Sequence, residues 1–445
     1  MVVTLPAGTY SLHVRGTASQ SGVALAEIYE VPAGVALDLP DTPFNVAEST
    51  TAIGLDLFRA VGATKPGENL VLSPYSIESA LALAYAGADG DTRTEMARVL
   101  RLPADDASLQ DGFAGLRRAL DQMVENSQRI IAARTVLAGT RLDPIEWAAA
   151  NRLFGQQDYA FRPPFLALMR DGFAAPLQPL DFYRSTEPSR LAINAWVEEQ
   201  TRQKIKDLIP TDGVTRDTRL VLVNALYLKA PWEIPFEKTF TQPRPFRLPA
   251  GGPRDVPAMH RTGQLGYAAE DRVTVVTLDY LGGELQCVIV LPDEGQSVDA
   301  VAARLTPAHF ARWSKLNETS RRNVALQLPK FKVEGASVSL SNALKALGMW
   351  QAFDEPEGSA NFDRMAPRKP DEYLKISEVF HQTFVALDEE GTEAAAATAV
   401  VMAVNASIII APPAIDVRVD RPFLFAIQHR ASGACLFLGR IADPK

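Results

Sequence analysis

The run Glu389-Glu390-Gly391-Thr392-Glu393-Ala394-Ala395-Ala396-Ala397-Thr398 constrains the fold more than any other segment. Four successive alanines alone favour a helix, because Ala has the best helix propensity. The flanks argue otherwise: Phe380 to Asp388 alternates like a strand, and Thr398 to Val401 is mostly β-branched, as is Ile408 to Ile410. A small-residue segment between strand-like runs reads as a loop that can itself become a strand. Inserted into a sheet, Thr392, Ala394, Ala396 and Thr398 would share one face, since strand side chains alternate. All four are small and uncharged, so they can slide beneath existing side chains at little steric or desolvation cost. Glu393 is expected on the opposite, solvated face.

The rest of the chain narrows the function classes. Its 445 residues, 47% of them hydrophobic, suffice for one large core or two ordinary ones. A net charge of -8 argues against nucleic acid as a partner and shows no heparin-type site; the basic pairs Arg117-Arg118 and Arg321-Arg322 are isolated. Cys287 and Cys435 each lie in an apolar strand-like run and read as buried free thiols. No apolar run reaches the roughly 18 residues of a membrane span. There is no G-x-S-x-G, H-E-x-x-H, Walker, G-x-G-x-x-G or C-x-x-C motif. The five histidines lack metal-ligand spacing, so no metal, no cofactor and no catalytic residues are assigned.

Residues 1–40 differ in character from the main body of the chain. Gly8 to Arg15 and Gly22 to Glu30 alternate around Gly16-Thr17-Ala18-Ser19-Gln20-Ser21, a β-hairpin signal, and Val31 to Pro43 reads as a linker. The hairpin resembles the closing hairpin of β-sandwich modules on exported bacterial surface proteins, which favours an extracellular or cell-surface location. An authentic start at Met1, without a signal peptide, implies the cytoplasm instead. The expected division is a hairpin and linker over 1–40 and a main domain over 41–445. Helical patterns cover Val46 to Val61, Ser76 to Tyr85, Asp91 to Leu100, Ser108 to Asn126, Pro163 to Phe173, Ser189 to Ile209 and Ser339 to Leu347. Strand patterns cover Ile145 to Leu153, Leu220 to Lys229, Thr274 to Leu278, Leu285 to Leu291, Asn323 to Lys332, Val379 to Leu387, Ile415 to Val419 and Phe423 to His429. No βαβ alternation is sustained, which predicts an α+β fold with a mixed or antiparallel sheet.

Several motifs recur in family order from Phe44 to Pro444. Asn69-Leu70-Val71-Leu72-Ser73-Pro74-Tyr75-Ser76-Ile77 comes first, followed by Asn194-Ala195-Trp196-Val197 with Thr201 and Lys204-Ile205. Leu222-Val223-Asn224-Ala225-Leu226-Tyr227-Leu228-Lys229 then precedes Trp232 and Pro235-Phe236. Leu328-Pro329-Lys330-Phe331-Lys332, Asn361-Phe362, His381, Arg421-Pro422-Phe423 and Leu436-Phe437-Leu438-Gly439-Arg440 complete the set. Together with the hinge-like run they resemble the serpins, protease inhibitors whose bait loop enters their own main sheet after cleavage. Asn361 stands where that family usually has Asp.

The resemblance implies a large mixed β-sheet with smaller sheets, about eight or nine helices and an exposed reactive-centre loop. It further implies a metastable monomer that traps a serine protease as a covalent acyl complex and is consumed in doing so. The hinge would be Glu389, Glu390, Gly391, Thr392, Glu393, Ala394, Ala395, Ala396, Ala397 and Thr398, with Gly391 as a pivot. Ser73, Ser76, Asn224 and His381 would form the polar cluster where the sheet opens, with Trp232 at the upper end. Counting from Gly391 places the reactive bond at Asn405-Ala406; counting back from Pro422-Phe423 places it near Ala411-Pro412. Inserted length favours the first, and a slip of a few residues leaves Val404 and Met402 as alternatives. The absence of Arg or Lys from Val400 to Ile408 points to elastase-, chymotrypsin- or subtilisin-like targets. The rival readings are a non-inhibitory serpin-fold binding protein, a structural module that explains only residues 1–40, and a hydrolase.

Overall fold

A computed structural model describes residues 44–138, 143–335, 337–369, 372–393 and 413–444, with the backbone alone at 135–138, 149–151 and 224–225. Residues 1–43, which hold the expected hairpin, lie outside the described residues. So do 394–412, which hold Ala394, Ala395, Ala396, Ala397, Thr398 and the expected reactive bond Asn405-Ala406.

The chain opens with α1 (Val46–Thr64), whose Asn45 cap accepts from the N–H groups of Ala47 and Glu48. After β1 (Leu70–Leu72), Ser73 caps α2 (Pro74–Gly87), where Pro74 occupies the first turn and needs no N–H partner. Next come α3 (Gly90–Leu100), α4 (Asp106–Ala138), β2 (Glu146–Gln156), α5 (Pro163–Ala167), β3 (Leu177–Leu180), α6 (Thr186–Gln200) and β4 (Leu220–Pro231). The strands β5 (Gln242–Arg247), β6 (Pro253–Glu270), β7 (Val273–Asp279) and β8 (Leu285–Pro292) form successive antiparallel pairs, and among the described residues β5 pairs only with β6. Short helices α7 (Val298–Arg304), α8 (Pro307–Trp313) and α9 (Leu316–Thr319) lead to β9 (Arg321–Pro329), β10 (Phe331–Glu334), β11 (Val338–Ser339) and α10 (Ser341–Ala346). The last strands are β12 (Phe380–His381), β13 (Phe384–Leu387), β14 (Gly391–Thr392), β15 (Ile415–Arg418), β16 (Phe423–His429) and β17 (Cys435–Ile441).

Two sheets carry the architecture. One has nine strands in the order β1-β17-β16-β8-β7-β6-β9-β15, with β5 branching from β6. The other has six, β10-β13-β14-β4-β2-β3, and is mixed because β2 and β3 run parallel. The main core lies between the sheets and includes α1 and α2. α6 covers the opposite face of the six-stranded sheet, where Ile193 and Val197 meet Phe154 and Val223 in a second apolar cluster. β4 serves both sides by alternation: Val223 points toward α6, whereas Leu226, Leu228 and Ala230 face the main core.

The α+β expectation and most elements hold; the described residues contain ten α-helices, three of them the short α7 to α9 that no sequence pattern marks. The helix expected over Ser189 to Ile209 stops at Gln200, because Arg202 and Gln203 adopt left-handed backbone (φ 52 and 65). The run Asn323 to Lys332 divides into β9 and β10, which belong to different sheets, and Val379 to Leu387 divides into β12 and β13. Cys287 and Cys435 are both buried and free. Burial pushes their thiols up, that of Cys287 to about 12.

Candidate functional site

The site is where the segment after β13 turns back into the six-stranded sheet. Leu387 pairs with Thr392 on one side, while Thr392 and Gly391 pair with Ala230 and Pro231 on the other. Thus β14 already stands between β13 and β4 for two residues. The turn is held from both sides: Trp232 N–H donates to Glu390 O (2.9 Å) and Phe236 N–H to Glu389 O (2.8 Å). Asp388 Oδ1 accepts from the N–H of Glu390 at 2.9 Å.

Gly391 is required by space. A Cβ built there would strike the Ala230 carbonyl oxygen and lie 2.7 Å from Pro231 Cα, at a φ of +154. The obstacles are backbone atoms, which cannot step aside as a side chain can. Its expected role as a pivot is therefore joined by a closer one, the absence of a side chain where two strands touch.

Thr392 faces the core and is 2% exposed. Its hydroxyl and that of Tyr280 share a hydrogen bond of 2.5 Å. Tyr280 is fully buried and stacks on Trp232, with centroids 4.4 Å apart and planes 12° from parallel. Trp232 Nε1–H donates to Asp388 O at 2.9 Å, so the indole is both core aromatic and strut for the turn. Burial drives the Tyr280 phenol well above its ordinary value, keeping it neutral.

The three glutamates of the expected hinge each meet a lysine from a different segment. Glu389 is buried, 2.8 Å from Lys330 Nζ, and accepts from Thr241 Oγ1 at 2.7 Å. Burial raises its pKa, but Lys330 and Thr241 outweigh that, so the carboxyl sits below its ordinary value. Glu390 pairs with Lys238. Glu393 pairs with Lys204 at 2.8 Å. In this uninserted arrangement the Glu393 side chain keeps only 12% exposure beneath the turn that follows α6. Burial pushes its carboxyl above the ordinary value, with Lys204 opposing the shift.

Away from the turn, Ser73 at the cap of α2 and His381 of β12 meet. His381 Nε2 accepts from Ser73 N–H at 3.0 Å, and Ser73 Oγ donates to Leu436 O at 2.8 Å. Ser76 N–H donates to Ser73 Oγ at 3.3 Å, the ordinary contact of a helix cap. Burial lowers His381 to about 4, so its ring is neutral and able to accept. The backbone of Asn224 lies in β4 opposite Asn151. Thr383, on the same stretch as His381, donates to Val71 O at 2.9 Å and belongs to the same polar seam. A cavity of about 780 Å³ runs alongside, lined by Leu220 to Val223 of β4, His381 of β12 and Ser76 of α2.

Sequence reasoning does not single out Tyr280, Thr241 or Lys238, and it marks Lys204 and Lys330 without giving them partners. Among the described residues no group of His, Cys, Asp or Glu is arranged to hold a metal ion.

The comparisons with known proteins agree with this geometry. The family model described as Serpin (serine protease inhibitor) matches residues 48–444. Leukocyte elastase inhibitor from Bos taurus is 34% identical over 406 residues, covering 90% of this chain and all of that protein. An uncharacterized serpin-like protein from Thermococcus kodakarensis is 35% identical over 402 residues, covering 90% of this chain and 86% of its own length. Among solved structures, uncleaved ovalbumin superposes with a TM-score of 0.74 at 27% identity, and thyroxine-binding globulin complexed with thyroxine with 0.70 at 26%. Each covers 90% of this chain and all of its own. The fold is that of the serpins, and the chain belongs to the serpin family, which is described as one of serine protease inhibitors and not of enzymes.

Proposed function

We propose that this chain is a single-use inhibitor of serine proteases of elastase-, chymotrypsin- or subtilisin-like specificity, working by insertion of its cleaved loop. The observation that carries the reading is β14: Gly391 and Thr392 already occupy the line between β13 and β4. Extending that register places Ala394 opposite Leu228 and Val385, both buried, and Ala396 opposite Leu226 and Thr383. Thr398 then falls opposite Asn224, with His381 at the matching level of the other flank. Each inward position receives a small, uncharged residue, and the polar seam receives a hydroxyl.

The protease serine attacks the bait carbonyl, breaking the peptide bond. The amine departs as the new N-terminus of the C-terminal fragment, and an ester joins the protease to the main fragment. From Thr392 to Ala403 the freed strand is about 40 Å long at roughly 3.3 Å per residue. Its entry carries the protease to the far end of the sheet before water can cleave the ester. We place the bond at Asn405-Ala406, with Val404 and Met402 as the neighbouring alternatives. The name of the relative from Bos taurus, an elastase inhibitor, supports a target with a small apolar preference.

The test is incubation with pancreatic elastase, chymotrypsin and subtilisin, followed by denaturing gels and intact mass. An SDS-resistant complex is expected, and the mass of the released peptide assigns the bond. The likeness to a thyroxine-bound globulin favours a second reading, a serpin-fold binding protein. That reading predicts loop cleavage by all three enzymes with no complex.

A further inference from the structure

β14 stops at Thr392 although the sheet ahead of it has a place for the next residue. Glu393 N–H already donates to Ala386 O at 2.8 Å, so the ladder with β13 has begun at this residue. The chain nevertheless turns away there, because Glu393 holds a left-handed backbone conformation (φ 50). For a residue with a Cβ that conformation costs on the order of 1 kcal/mol or more and persists only where the surroundings enforce it. The enforcing contact is visible. Lys204, on the turn after α6, reaches Glu393 Oε1 at 2.8 Å, and its ammonium sits 4.9 Å from the centre of the Phe384 ring on β13. The lysine thus spans the seam through which a new strand must pass, fixed to one flank and to the hinge itself.

We propose that Lys204 is a positioning residue that latches the hinge, setting how fast the loop enters the sheet by holding Glu393 in its left-handed turn. Release lets Glu393 relax to the extended conformation that strand continuation requires. In the extended register Glu393 falls opposite Lys229, which lies 2.9 Å from Asp143 and 3.5 Å from Glu146. That lysine is already shared by two carboxylates, so it does not replace Lys204, and breaking the Lys204 pair is the step that separates the two arrangements. This inference rests on the insertion mechanism proposed above and adds the residue that governs its rate.

The test uses the full chain and its Lys204→Met, Lys204→Arg and Glu393→Gln variants. After mixing with protease, entry is followed by stopped-flow tryptophan emission, with Trp232 at the entrance as the reporter. Lys204→Met and Glu393→Gln should each enter about two- to fivefold faster, the range expected for one partly exposed ion pair, and together no faster than either alone. Lys204→Arg should restore the original rate, which mere repacking of the turn would not do. Uncleaved Lys204→Met should also lose inhibitory activity sooner on warming, through entry without cleavage. An unchanged or slower rate in Lys204→Met, beside a parent protein that does enter its sheet, would overturn the latch alone. A parent protein whose melting temperature does not rise after loop cleavage would overturn the insertion mechanism and the latch with it.

Discussion

Replacing Thr392 by Arg probes the site where it is least forgiving. Thr392 is 2% exposed, and its hydroxyl is bonded to a fully buried Tyr280 that is stacked on Trp232. A guanidinium in that position would have no carboxylate within the apolar stack, and an uncompensated buried charge costs about 3–5 kcal/mol. Arg at this position should leave the seam in the intact protein, so that entry must meet the full cost; since each 1.36 kcal/mol is a factor of ten in rate, strand entry should slow by roughly two to three and a half orders of magnitude. Hydrolysis of the acyl link then wins the race, and the inhibitor becomes a substrate. The control is Thr392→Val, which keeps the volume and removes only the hydroxyl. Leaving Tyr280 short of that partner costs about 1–2 kcal/mol, so trapping should persist with a modest loss of efficiency. The assay counts inhibitor molecules consumed per protease trapped, with denaturing gels separating complex from cleaved product. Unchanged trapping by Thr392→Arg would refute the reasoning, because a strand led by a buried charge cannot enter this stack at ordinary speed.

Three further outcomes are expected from the same geometry. Gly391→Ala sets a Cβ against the Ala230 carbonyl and Pro231 Cα, and overpacking of about 1–3 kcal/mol should expel β14; amide exchange at Thr392 and Glu393 should quicken markedly. Glu78 is fully buried, and burial raises its carboxyl to about 8, against bonds from Thr50 and Ser49 that lower it. A folded pKa above the unfolded one means its contribution to stability is complete below about pH 4.5 and is lost as pH rises toward 8; Glu78→Gln should therefore stabilise the native state by about 2–3 kcal/mol at pH 7, read from urea midpoints. His381 has the opposite sign. Burial holds it near 4, so stability present above about pH 6.5 falls away as pH drops toward 4, by up to about 3 kcal/mol, and His381→Gln should flatten that part of the profile.

What the sequence reveals and what it hides divide by distance along the chain. Gly391 and Thr392 are legible as strand, and the alanines after them are expected to follow, because small size at alternate positions is a local pattern. Trp232 and Glu389 are reached through motifs. Tyr280 is not, because it sits just past the alternating run of β7 and its partner Thr392 is 112 residues away. Lys204, Lys238 and Lys330 likewise take meaning only from the glutamates they reach across the fold. The cover that the turn after α6 places over Glu393 in the intact protein is hidden for the same reason. β5 is hidden because Pro243 and Pro245 read as a turn, and an edge strand tolerates the N–H groups they lack. The end of α6 is overrun because nothing local to Arg202 and Gln203 forbids a helix; their left-handed backbone answers to the packing of the turn over the sheet.

The central claim is that the cleaved loop joins the six-stranded sheet between β4 and β13. Thermal unfolding of the intact protein, compared with the same protein after its loop has been nicked by a non-target protease, tests it most directly. Cleavage should raise Tm substantially, as an open seam becomes a continuous ladder and the inward alanines are buried. An unchanged or lower Tm, with the nick verified by mass, would contradict it.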